Sequence, residues 1–318
     1  MSCNALAKFN LVNARSVNEV TAFLTKGDAE VIAGGTDLLH TRKFFILRNY
    51  PGTLVNINTI PNLEYIKEEG GLLKIGALTK LEDISQNQTV NSKYAALAQA
   101  AGRTASPHIR EMGTIGGNIC QLNRCWYFRK ENNFFDCIRK GGNMCYAMAG
   151  ENRYHSIFGA VKACVAVNPS DTAPALIALN AKIVTSKRTI NAEEFWDVAI
   201  PGSTVLASDE VVTEIQVPSF AGKSAFVKFA LRSSIDFPIV NCAAAIGSSD
   251  ARICLNAVFN KPYRVTKAED AIKAKAIDET SAEAAGAAAV STAMALASNK
   301  WKIQVAKTMV KRALLACK

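Results

Sequence analysis

The chain has 318 residues, 49% of them hydrophobic, and a formal net charge of +10. That length accommodates two or three domains with their own cores. Its opening residues lack a basic and apolar leader, and no run nears the roughly 18 apolar residues of a membrane span, so a cytoplasmic protein is expected. Basic residues are dispersed rather than interleaved with aromatics, which argues against a nucleic-acid platform. Nine cysteines without a leader argue against a disulfide framework.

In chain order, Ser16-Val-Asn-Glu19 reads as a capping box opening a helix over 17–26, closed by Gly27. Strands are expected at 31–33 and 54–57. The first runs into a distinctive turn, Val31-Ile-Ala-Gly-Gly-Thr-Asp-Leu-Leu39, and a second of similar make-up is Thr114-Ile-Gly-Gly-Asn118. Paired glycines reach φ > 0 and remove Cβ atoms, so successive N–H groups can converge on an anion such as a diphosphate. A plain tight turn is the alternative. Neither stretch is a Walker loop or a G-x-G-x-x-G fingerprint.

Around them lie an expected strand at 72–75, a helix capped at Thr79-Lys-Leu-Glu82 and an alanine-rich helix over 92–101. An irregular stretch covers 119–163. Beyond it come a strand at 164–168, a helix opened by Pro169-Ser-Asp-Thr and running to 179, and strands at 181–185 and 209–217. The last part reads as three antiparallel strands at 225–231, 239–246 and 252–259, then helices at 267–275, 280–297 and 301–316.

The irregular stretch gathers Cys120, Cys125, Cys137 and Cys145, with Cys164 at its exit. Eleven residues separate Cys125 from Cys137, seven lead to Cys145 and eighteen to Cys164, which matches neither a structural zinc module nor a ferredoxin run. Zinc, an iron–sulfur cluster and unligated thiols all stay open, with His155 or Cys120 as substitute ligands. A polar loop this long needs something to order it. Cys3, Cys242, Cys254 and Cys317 read as core or surface thiols. His40 and His108 join no hydrolytic constellation.

Taken in order, Ala33-Gly-Gly-Thr-Asp-Leu-Leu39, Thr114-Ile-Gly-Gly-Asn118, Ser170-Asp171 and Lys228-x-x-x-Arg232-x-x-x-Asp236 resemble the FAD-binding medium subunit of the molybdenum hydroxylases. That family includes xanthine dehydrogenases, aerobic carbon monoxide dehydrogenase and 4-hydroxybenzoyl-CoA reductase. The resemblance implies an α+β fold. A two-lobed FAD domain of the vanillyl-alcohol-oxidase (PCMH) type would cover 1–218, with lobes at about 1–60 and 61–218 and an iron–sulfur insertion at about 119–164. A C-terminal domain with a three-stranded antiparallel sheet would cover 219–318.

The same resemblance implies FAD, its diphosphate lined by Ala33, Gly34, Gly35, Thr36 and Asp37 and by Thr114, Gly116, Gly117 and Asn118. Asp171 would sit toward the adenosine side and Lys228 by the flavin ring, with Ile32 and Ile57 packed on the cofactor. The inserted loop is similar to that of 4-hydroxybenzoyl-CoA reductase, which implies a [4Fe–4S] cluster on Cys125, Cys137, Cys145 and Cys164. The implied role is electron transfer between a [2Fe–2S] small subunit and ferredoxin, flavodoxin or NAD, with a purine or thioester substrate handled on a molybdopterin-binding large subunit. Arg124, Arg129, Lys130, Arg139 and Lys140 would form a basic face for an acidic carrier. A self-contained flavin oxidoreductase and a zinc-ordered basic binding module are the competing readings.

Overall fold

The computed structural model describes residues 8–198, 201–232, 235–248 and 250–318. The first lobe contains β1 (Asn10–Asn13), α1 (Val17–Leu24), β2 (Ala29–Ile32), α2 (Leu38–Lys43) and β3 (Thr53–Asn56). Its strands form a parallel sheet in the order β1-β3-β2. Strand β1 was not expected, because Asn10-Leu-Val-Asn13 is short and leaves Leu11 exposed. Ser16 caps α1 by accepting from Glu19 N at 3.2 Å, but the Glu19 carboxylate reaches Arg15 N, at 2.8 Å, instead of Ser16. The reciprocal half of the capping box is therefore displaced by one residue. Gly27 closes the turn at φ 81°.

The second lobe contains β4 (Ile66–Glu69), β5 (Leu72–Gly76), α3 (Leu81–Gln86), α4 (Gln88–Lys93), α5 (Ala95–Gly102), α6 (Pro107–Met112), α7 (Ile115–Cys120), α8 (Tyr146–Ala149), α9 (Thr172–Ala178), β6 (Lys182–Thr185), β7 (Thr189–Asn191), α10 (Ala192–Phe195) and β8 (Val212–Pro218). Its antiparallel sheet has the order β4-β5-β8-β6-β7. The alanine-rich helix divides at Tyr94, which leaves helical geometry at φ −129° and ψ 46°. Thr79 does not cap α3. Its hydroxyl accepts from Tyr65 N and donates to Tyr65 O, at 3.1 and 3.0 Å, so Lys80 takes the cap position. Residues 164–168 form no strand and make only single bridges, Val161 to Cys164 and Arg124 to Val167. Their apolar run is buried against loops rather than added to a sheet.

The C-terminal part contains β9 (Lys223–Phe229), β10 (Val240–Ile246), β11 (Ala251–Asn256), β12 (Tyr263–Arg264), α11 (Thr266–Ile272), α12 (Glu279–Ala289) and α13 (Trp301–Leu315). The antiparallel sheet has four strands, β12-β11-β10-β9, where three were expected. Strand β12 is two residues long, too short to register as a periodic pattern. Helix α12 stops at Ala289 instead of 297, because the chain turns there to let Met294 N donate to Ile157 O at 2.7 Å. That bond stitches the exit of the cysteine loop to the C-terminal domain, whose core takes in Ile157 and Phe158. Among the described residues no helix is long and apolar enough to cross a membrane.

Candidate functional site

The two glycine segments meet. A Cβ on Gly34 would collide with the Met112 carbonyl oxygen and stand 3.1 Å from Gly113 Cα, and Thr36 Oγ1 lies 3.8 Å from where a Gly113 Cβ would be. Gly35 holds φ 69°, the left-handed region that glycine adopts without strain. Asn58 Nδ2 fixes the turn by donating to Ala33 O at 2.9 Å. The second segment is the start of α7 and not an open turn: Thr114 Oγ1 accepts from Gly117 N at 3.1 Å. The first opens α2. First-turn amides have no backbone acceptor inside their own helix, but in the second segment the amides of Ile115, Gly116, Gly117 and Asn118 are already taken, by Thr79 O, Ala77 O, Thr114 Oγ1 and Thr114 O. Thr36 and Gly117 are the exposed members. Ile32 lies beside Gly35, whereas Ile57 is buried in the core of the first lobe.

Asn118 is buried, its Oδ1 accepting from Ser170 Oγ at 2.6 Å and Thr172 Oγ1 at 2.7 Å. Asp171 receives Lys228 Nζ and Asn241 Nδ2, each at 2.7 Å. Burial pushes the Asp171 carboxyl up from its ordinary value, with Lys228 and Asn241 opposing. Asp171 and Lys228, expected toward the adenosine and toward the flavin ring, form a buried ion pair with each other. Sequence reading missed Asn241 and Asn256. They stand opposite each other in β10 and β11, and Asn241 also opposes Lys228 of β9, so one polar row crosses the sheet. Asn256 Nδ2 donates to Ser170 O at 2.7 Å. A lone asparagine in each of two apolar strands was the available signal. Arg232 and Asp236 pair with each other at the surface.

Asp37, expected beside the diphosphate, directs its carboxylate to Arg129 and Arg124 of the cysteine loop, at 2.7 and 2.9 Å. This loop is less irregular than expected, with short helical turns at 131–133 and 138–140 and helix α8. Cys125, Cys137 and Cys164 lie near enough that charge on one raises another's proton affinity. Burial pushes Cys125 up to about 12 and raises Cys137. Lys140 lies within electrostatic reach of Cys137 and Cys125, and Arg139 Nε donates to Cys164 Sγ at 3.4 Å. His155 Nε2 is 3.1 Å from Cys125 Sγ, and burial with Lys302 lowers the ring to about 4, leaving it neutral. Cys145 follows Met144, which bridges to Cys137.

Among the described residues, no group of three or more His, Cys, Asp or Glu is arranged to hold a metal ion. Cys120 packs against the second lobe's core. Cys242, Cys254 and Cys317 are buried, and Cys3 lies outside the described residues. The basic docking face is not formed either. Arg139 and Lys140 are buried, Arg124 and Arg129 are committed to Asp37, and Lys130 alone of the five is exposed.

This fold and site have known counterparts. Residues 7–220 match the FAD binding domain in molybdopterin dehydrogenase, and residues 225–317 match the CO dehydrogenase flavoprotein C-terminal domain. The chain belongs to the family of FAD-binding medium subunits of the molybdenum hydroxylases. It is 32% identical over 254 residues to the aldehyde oxidoreductase FAD-binding subunit PaoB of Escherichia coli, covering 76% of this chain and 78% of that one. It is 28% identical over 326 residues to the carbon monoxide dehydrogenase medium chain of Hydrogenophaga pseudoflava, covering 97% and 96%. A solved structure of carbon monoxide dehydrogenase from Hydrogenophaga pseudoflava superposes with a TM-score of 0.75 at 27% identity, over 98% of each chain. Quinoline 2-oxidoreductase from Pseudomonas putida 86, at 22% identity and a TM-score of 0.76, shares the fold.

Proposed function

We propose that the chain is the FAD- and [4Fe–4S]-carrying electron-transfer subunit of a heteromeric molybdenum hydroxylase. The observation that carries the reading is the contact of the two glycine segments beside a loop on which the half-buried Cys125 and the buried Cys137 and Cys164 lie within electrostatic reach of one another. Bound FAD exchanges electrons singly or in pairs, and a [4Fe–4S] cluster exchanges them singly. The diphosphate would lie over Ala33 to Thr36 and beside Thr114, Gly116 and Gly117, with the exposed Thr36 hydroxyl among its donors. Asp171, at the start of α9, and Lys228, on β9 of the C-terminal sheet, would lie toward the cofactor as one ion pair, with Ile32 beside the first turn. The domain boundary belongs at about 218, and the two lobes meet near residue 60.

The donor set fits an iron–sulfur cluster better than a single ion. Each iron of a four-iron cluster takes one thiolate, so its ligands need not converge on one point. Among the described residues Lys140 Nζ is buried without a hydrogen-bond partner. Thiols raised as Cys125 and Cys137 are would be protonated at neutral pH and leave that ammonium only the Asp136 carboxylate within electrostatic reach, whereas cluster-bound thiolates would add to its compensation. The ligands would be Cys125, Cys137, Cys145 and Cys164, with His155 donating to the first.

Substrate chemistry would take place on a molybdopterin-binding large subunit, and electrons would pass through a [2Fe–2S] small subunit to this chain and on to ferredoxin, flavodoxin or NAD in the cytoplasm. A purine and a hydroxybenzoyl thioester are the first substrates to assay. An aldehyde joins them because one relative belongs to an aldehyde oxidoreductase. The test is anaerobic purification of the tagged chain from its native host. Two co-purifying subunits, one with molybdopterin and one with a [2Fe–2S] centre, are expected. Oxidation of a small-molecule donor by the chain alone would favour the self-contained flavin oxidoreductase instead.

A further inference from the structure

The Asp37 carboxylate accepts four hydrogen bonds from the cysteine loop. Arg129 Nη1 and Nη2 donate at 2.7 and 3.0 Å, Arg124 Nη2 at 2.9 Å and Leu122 N at 3.1 Å. A carboxylate has about four lone-pair sites, so its acceptor capacity is spent inside the protein. The same charge turned toward a diphosphate would repel it. Asp37 sits at the N-cap of α2 yet makes no side-chain cap bond there. Its backbone belongs to the glycine turn while its side chain belongs to the loop.

The two guanidiniums carry this anchorage onward. Arg129 also donates to Leu122 O at 2.7 Å and Asn123 O at 3.1 Å, and its backbone N donates to Cys125 O at 2.9 Å. Arg124 pairs through its backbone with Val167, at 2.9 and 3.0 Å, and its guanidinium lies 3.9 Å from the centre of the Phe237 ring. Asp37 is thus the point at which the first lobe, the entry of the cysteine loop and the C-terminal domain converge. Arg124 and Arg129 repel each other, and this carboxylate is what holds them together.

We infer that Asp37 is a positioning residue, a latch that seats the entry of the cysteine loop on the cofactor cradle, and not a group that contacts the cofactor. The latch rests on the proposed function only for what the loop carries, since the contacts join protein to protein. It sets where Cys125 stands relative to the glycine turn. Asp37→Asn keeps the side chain's size and removes the charge that both guanidiniums need.

The test uses the full chain, purified with its flavin and compared as wild type, Asp37→Asn and Arg129→Gln. Amide hydrogen exchange over 119–131, the alkylation rate of Cys125 and flavin content are measured on iron-free protein. Both variants are expected to retain flavin while exchange and alkylation rise about tenfold or more, the signature of a loop released from its seat. Loss of flavin with an undisturbed loop in Asp37→Asn would overturn the latch. If Asp37→Asn fails to fold, Arg129→Gln decides alone, since it leaves the glycine turn intact, and an unchanged loop there would equally overturn it. Absence of iron from anaerobically purified wild type would bring down the cluster reading, and loop exchange would still decide the latch.

Discussion

The Asp171 carboxylate and the Lys228 ammonium stand 2.7 Å apart with 3% of each side chain exposed, joining the FAD-binding domain to the C-terminal sheet. Removing one member of such a pair strands the other. Lys228→Met should cost about 3–5 kcal/mol in urea unfolding, with Asp171, already raised by burial, taking up a proton. Replacing both residues with apolar ones of similar volume should recover most of that loss. A single variant as stable as wild type would show that the pair contributes nothing.

Gly34 tests the meeting of the two glycine segments. Because a Cβ there would strike the Met112 carbonyl, Gly34→Ala must push the segments apart, at about 1–3 kcal/mol for overpacking. Flavin affinity should fall about tenfold or more, corresponding to a binding loss of about 1.4 kcal/mol. Equilibrium dialysis of FAD against the deflavinated protein measures it.

Lys302 has no exposed surface and donates to the carbonyls of Tyr154, His155 and Ala257, at 3.0, 3.1 and 2.6 Å. Asn299 Nδ2 shares the His155 carbonyl, at 3.2 Å, so Lys302→Met would orphan chiefly the other two. With each buried acceptor costing about 1–3 kcal/mol, the variant should lose about 2–6 kcal/mol, visible as a lower Tm. It should also free His155 from its place 3.1 Å from Cys125, raising the alkylation rate of that thiol.

The latch has a pH signature. Burial opposes ionisation of Asp37, but Arg129, Arg124 and the Leu122 amide outweigh it and hold the carboxyl below the ordinary carboxylate value. Its folded-state value lies below the unfolded one. The latch therefore contributes fully above about pH 4, the unfolded value, and is lost as pH falls through the lower folded value. Fluorescence of Trp126, on the same loop, should stay constant from neutrality to about pH 4 and change below it. In Asp37→Asn that transition should be absent.

Much of the architecture was legible because it rests on local signals. Ser16 caps α1, Gly27 ends it, and the strands of the last domain follow their apolar runs. The glycine segments were visible as motifs, although residues 114–118 were read as a turn when they begin α7. What sequence could not show depends on long-range pairing. Asp37 looks like a cradle residue until Arg124 and Arg129, more than eighty residues on, claim its carboxylate. Likewise, five basic residues looked like a surface until burial of Arg139 and Lys140 turned them toward the thiols. Short strands such as β1 and β12, and the loop-bound run at 164–168, owe their conformation to neighbours rather than to pattern.

The most direct measurement is the iron, acid-labile sulfide and zinc content of the anaerobically purified chain, set against its flavin. One FAD with about four irons and four sulfides, both iron and sulfide falling in Cys125→Ser and Cys164→Ser while FAD stays, is the expected result. A flavin-bearing chain with zinc or no metal would contradict the account.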